Sequence, residues 1–155
     1  MTSSFFYIII NGEPSGLFSA SQGLQQGDPL SPYLFIIMAE GLGRFIKSQV
    51  GQGLIQGWSW QDSLPSYSHL QFVDDTALMG IARVSEAVNF RRTLDIYLKA
   101  SGQCINDDKS SIYFFNTPQS IQNRIARILR FQIDSLPLLY LGVPLVLGSQ
   151  YRVYW

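Results

Sequence analysis

The run LQFVDDTALMG, residues 70–80, sets two adjacent aspartates, Asp74 and Asp75, between apolar arms. An ionised carboxylate loses its hydration on burial, so a strand cannot carry both into a core without a compensating charge. The run therefore predicts two strand arms, 67–73 and 76–79, with Asp74 and Asp75 at the bend and their carboxylates reaching an open surface. Two readings fit such a bend: a solvated Asp-Asp turn, or an anionic point that meets a cation. Mg²⁺ suits the second, because it prefers oxygen ligands and usually takes only one or two protein carboxylates.

The rest of the chain narrows the fold. Its 155 residues suffice for one domain with a real core. With 46% hydrophobic and 14% charged residues it reads as a folded chain and not a disordered tail. Lys plus Arg is 11 and Asp plus Glu is 11, so the overall basic balance that favours nucleic acid is missing. One cysteine, Cys104, excludes an internal disulfide and a cysteine zinc site, and reads as a small buried hydrophobe. The lone His69 cannot build a histidine metal cluster and reads as a packed residue at the start of a strand. The longest early apolar run, residues 5–10, is too short for a membrane span or a signal peptide, which predicts an intracellular protein with no membrane association.

Along the chain, Asn11-Gly12 is a hairpin signal, with a second strand expected near 16–21. The loop QGLQQGDPLSP leads into a helix over 31–50, opened by Ser31-Pro32 and patterned by Leu34, Met38, Leu42 and Phe45. A strand is expected over 53–60. Ser85 is expected to cap a second helix running to about Ala100, with Ala87, Phe90, Leu94 and Leu98 on one face. SSIYFFN reads as a short strand, Thr117-Pro118 opens a third helix through Arg130, and LPLLYLGVPLVLG reads as a hairpin. The expected class is α+β, a mainly antiparallel sheet with helices packed on one face.

Four segments, in order, resemble the reverse transcriptase of non-LTR (LINE-type) retrotransposons, plant-type copies in particular. GLQQGDPLSPYLF is similar to that family's motif B, SHLQFVDDTALM to motif C, SGQCINDDKSSIYFFN to motif D and LPLLYLGVPL to motif E. The resemblance spans about residues 5–145. It implies the palm of a right-hand polymerase and RNA-templated DNA synthesis, with RNA template, DNA primer and dNTP as partners and two Mg²⁺ ions as cofactor. By resemblance, Asp74 and Asp75 are catalytic metal ligands, Asp74 the more direct. Gln26 and Gly27 lie near nucleotide and template. Lys109, in the motif with Asn106 and Ser110, serves the leaving pyrophosphate, and Leu141 and Gly142 belong to the primer grip.

The sequence departs from the family at Val73, where alanine is usual, and at Gln25, where arginine is usual. The family's third catalytic aspartate, in motif A, has no counterpart, and neither do the fingers or the thumb. Residues 1–155 therefore read as a partial reverse transcriptase domain, the palm with motifs B to E. The expected function is a fragment of an RNA-directed DNA polymerase, inactive in isolation. The alternative is a non-catalytic palm remnant that binds a protein or a nucleic acid.

Overall fold

The computed structural model describes residues 5–19, 23–59 and 65–145. The architecture is mixed α+β. Strands β1 (Phe5–Ile10) and β2 (Glu13–Ser19) form an antiparallel hairpin turned by Asn11 and Gly12, both at positive φ (52° and 87°). That is the backbone the Asn-Gly pair favours. The second strand starts three residues earlier than the sequence predicts, because the turn is tight. Gly16, at φ 68°, takes up the register shift opposite Tyr7 and Ile8.

Helix α1 (Ser31–Gly51) opens as expected at Ser31-Pro32 and carries Pro32 in its first turn. Leu42 is buried on it, and Leu34, Met38 and Phe45 are half-buried. Ile46, fully buried, is its deepest core residue. Helix α2 (Val84–Ser101) follows, with Ala87, Phe90 and Leu94 buried. It ends at Gly102, whose left-handed φ of 70° lets its N–H reach the Leu98 carbonyl. Leu42, Ile46 and Leu94 form the core cluster, with Leu78, Tyr97, Ile105 and Phe131 packed on it. Burying one such aliphatic side chain stabilises the fold by about 1.5–3 kcal/mol. The Tyr97 hydroxyl donates to the Met38 carbonyl at 3.2 Å, tying α2 to α1.

Strands β3 (His69–Phe72) and β4 (Asp75–Leu78) pair antiparallel. Strand β5 (Ser111–Tyr113) pairs parallel with β6 (Gln132–Asp134), with α3 (Gln119–Leu129) as the crossover. Strands β7 (Leu138–Tyr140) and β8 (Val143–Leu145) close the described chain as the expected hairpin. The strands of the described residues thus form four separate pairs and no continuous sheet, three pairs antiparallel and one parallel. The pairing is mainly antiparallel, as the sequence predicts, but the one sheet expected is divided into separate ribbons, and one of them is parallel. Strand β6 needs a parallel partner delivered by a helix, and no local hairpin signal announces that.

Three further expectations change. Residues 53–59 form no strand, only a bridge between Trp58 and Tyr67, because Gly53 and Gly57 sit at positive φ (69° and 71°); Trp60 lies outside the described residues. Ser85 lies inside α2, whose N-cap is Arg83, with no side-chain cap bond. Cys104 is exposed, not buried, in the coil after the Gly102 stop.

His69 does sit at the start of its strand. Its Nδ1 is 3.0 Å from Ser68 Oγ, and a Cβ added to Gly43 would lie 3.0 Å from its Nε2, so α1 and β3 meet through a glycine. Burial, and then the Lys47 ammonium, hold the His69 pKa below its ordinary value, against the opposing pull of Glu40. The unfolded chain therefore binds more protons than the native one below the ordinary value of about 6.5. We expect stability to fall as pH drops from there through the depressed native pKa, and to be flat for this residue above it. Urea unfolding midpoints of the parent and His69→Gln, compared at several pH values, check this: the variant should lose that share of the slope.

Candidate active site

The β3–β4 ribbon positions the acidic pair. Phe72 pairs with Asp75, leaving Val73 and Asp74 as the turn. The bend thus falls one residue earlier than the sequence predicts, and Asp75 is the first residue of β4. Val73 adopts φ 51°. For a β-branched residue this left-handed backbone is strained by roughly 1–3 kcal/mol.

Residues two apart share a face of a strand. Leu78 packs into the core, and Gly43 of α1 lies against His69 and Gln71. His69, Gln71, Thr76 and Leu78 therefore face α1, and Leu70, Phe72, Asp75 and Ala77 make the opposite face. Phe72, Asp74 and Asp75 are exposed, and neither carboxylate has a hydrogen bond or ion pair among the described residues.

The loop before α1 is held by its own side chains. Gly27 takes φ 87°, and Asp28 Oδ1 accepts from the Leu30 N–H at 2.8 Å. The Ser31 hydroxyl donates to the Gln25 carbonyl at 2.8 Å. Gln26 is exposed beside this turn. Lys109 ends a short 3₁₀ turn, Asp107–Lys109, capped by Asn106, whose Oδ1 accepts from the Lys109 N–H at 3.2 Å. The Ser110 hydroxyl donates to the Asn106 carbonyl at 2.8 Å. Leu141 and Gly142 form the β7–β8 turn, both at positive φ (52° and 79°). No hydrogen bond or ion pair among the described residues joins Gln26, Lys109 or the Leu141-Gly142 turn to the aspartates.

A metal would find two hard oxygen donors at the ribbon's turn. Among the described residues no group of three His, Cys, Asp or Glu side chains could hold an ion. The pair matches the one or two carboxylates that Mg²⁺ commonly takes, with water and phosphate as its other ligands.

Glu86 is the polar residue that sequence reasoning missed. It is 5% exposed, and its Oε1 accepts from the Gln56 and Ile81 N–H groups, both at 3.2 Å. Its one local signal is an acid in a helix's first turn, where it favours the dipole. Glu86 braces the chain leaving β4, and with it the acidic ribbon, against α2.

The family model described as reverse transcriptase (RNA-dependent DNA polymerase) matches residues 1–145. An uncharacterized mitochondrial protein of Arabidopsis thaliana is 47% identical over 74 residues, 46% of this chain and 61% of that protein. A retrovirus-related Pol polyprotein from a type-2 retrotransposable element of Drosophila melanogaster is 31% identical over 99 residues, 64% of this chain and 8% of the polyprotein. The matched region thus spans less than two thirds of either relative.

Proposed function

We propose, from the premise that this chain belongs to the reverse transcriptase family, that it is the palm region of a non-LTR retrotransposon polymerase acting in RNA-directed DNA synthesis. The observation that carries this reading is the pair of unpartnered carboxylates on an open ribbon whose other face is anchored to α1. In the proposal Asp74 and Asp75 hold Mg²⁺, which when bound neutralises charge on the transferred phosphoryl group. The open face of the ribbon, with Phe72 and Leu70 beside Asp75, receives the primer end and the incoming nucleotide.

The other site residues follow the same reading. The Gly27 turn presents Gln26 and backbone N–H groups to nucleotide and template. Lys109 supplies a cation to the leaving pyrophosphate. The Leu141-Gly142 turn contacts the primer. The retrotransposon origin is supported by the likeness to the Drosophila retrotransposable-element polyprotein. Among the described residues no helix is long and apolar enough to cross a membrane.

Magnesium titration by calorimetry tests the metal assignment. Two exposed carboxylates without a third ligand should bind Mg²⁺ with Kd of about 1 mM or weaker, about 4 kcal/mol or less. Asp74→Asn should weaken this by about tenfold. Unchanged binding in that variant would remove Asp74 from the metal site.

A further inference from the structure

Helix α3 turns Ile125 into the protein, with Ile121, Ile128 and Leu129 half-buried beside it. Its other side exposes Asn123, Arg124 and Arg127, followed by Arg130 at the C-cap. From Ser110 to Ile133 the sequence contains no carboxylate. Helices α1 and α2 each answer an arginine with an acid four residues away, Arg44 with Glu40 and Arg91 with Asp95. Arg124, Arg127 and Arg130 have no ion pair among the described residues.

The chain as a whole is neutral, so this cationic stripe is local and not a share of general basicity. Arg127 and Arg130 lie where a helix C-terminus favours cations, by about 0.3–1 kcal/mol each. Arg124, more than a turn from that end, gains little from the dipole. Arg124 and Arg127, three residues apart within the helix, lie about 4.5 Å apart along its axis and side by side on its surface. Arg130 follows at the C-cap in a left-handed backbone (φ 64°), so the three cations cluster toward the C-terminal end of α3.

We propose that this cluster binds the phosphate backbone of single-stranded RNA, at a surface separate from the Asp74-Asp75 turn. Guanidinium forks match phosphate oxygens in pairs, and the neighbouring Asn123 amide adds a neutral donor of the kind that contacts phosphate and sugar. The choice of RNA over an acidic protein rests on the family reading. The cluster itself does not depend on the metal site.

Fluorescence anisotropy with a labelled single-stranded RNA of about 20 nucleotides, read in EDTA, tests the cluster without any contribution from metal at Asp74 or Asp75. Three phosphate contacts give a slope of about −2 in log K against log salt, about a twentyfold loss from 50 to 200 mM. The Arg124→Gln/Arg127→Gln/Arg130→Gln variant, with its helical circular dichroism unchanged, should bind more weakly and lose about that slope. The corresponding triple Lys variant should keep it. A Gln variant that binds like the parent, or a Lys variant that loses the salt slope with the Gln one, would overturn the proposal. So would competition by polyglutamate as strong as by unlabelled RNA of equal charge. Such a failure beside normal Mg²⁺ binding removes the α3 surface alone; the reverse result removes the metal assignment alone.

Discussion

A polypeptide of these 155 residues, given an RNA template, a DNA primer, dNTPs and Mg²⁺, is expected to extend no primer. Two-metal phosphoryl transfer needs ions about 3.5–4 Å apart, held by carboxylates from more than one chain segment. Asp74 and Asp75 come from one chain segment, the end of a turn and the first residue of β4, and no third donor joins them among the described residues. Asp28, the acid in the loop before α1, already accepts the Leu30 N–H. A longer polypeptide that supplies the family's additional aspartate is the minimum repair. In that active form, Asp74→Asn should lower the extension rate by about a thousandfold or more, about 4 kcal/mol of transition-state stabilisation. Extension by the 155-residue chain, abolished by Asp74→Asn, would falsify the incomplete-site reading and show that another carboxylate has joined the pair.

Glu86→Ala should lower stability by about 3 kcal/mol. Removing the carboxylate strips the acceptor from the Gln56 and Ile81 N–H groups, at about 0.5–1.5 kcal/mol for each hydrogen bond, and leaves a void where a nearly fully buried side chain stood. At this chain length that corresponds to a fall in Tm of about 6–12 °C. Glu86→Gln keeps an oxygen in place and should cost about 1 kcal/mol. Gly80 supplies an internal check. A Cβ there would lie 2.7 Å from Phe90 Cε2 and against Glu86 Oε1, so Gly80→Ala alone should cost about 1–3 kcal/mol. Combined with Glu86→Ala, part of the overlap disappears and the two losses should sum to less than their separate values. Chemical unfolding of the four proteins measures this, and strict additivity would show that Gly80 and Glu86 do not share one space.

The features legible in the sequence were those set by a few neighbouring residues. Asn11-Gly12 turns one hairpin and LPLLYLGVPL forms another, Ser31-Pro32 starts α1, and the strand bend falls within one residue of the predicted acidic pair. Each depends on local backbone preference or on the cost of burying charge. What stayed hidden depends on partners far along the chain. The amides that make Glu86 necessary belong to Ile81 and to Gln56, 30 residues away. Ile55 is fully buried although its segment forms no strand, because packing against other elements, not periodicity, encloses it. Strand β6 exists only because α3 returns the chain beside β5. For the candidate site, the residue types and the turns carrying them were readable, but the spacing between one turn and the next is a tertiary property.

The division of the described strands into four isolated pairs has a mechanical consequence. In a continuous sheet, a displacement at one turn is relayed sideways along a ladder of stiff backbone hydrogen bonds. Among the described residues no such ladder leads from the aspartate turn to the Leu141-Gly142 turn. The aspartate ribbon is coupled to its neighbours by side chains instead, with Leu78 of β4 packed on the Leu42, Ile46 and Leu94 cluster of the helices. Close-packed contacts of that kind pass a displacement on as a small shift of one whole element against another, not as a sideways pull along a ladder.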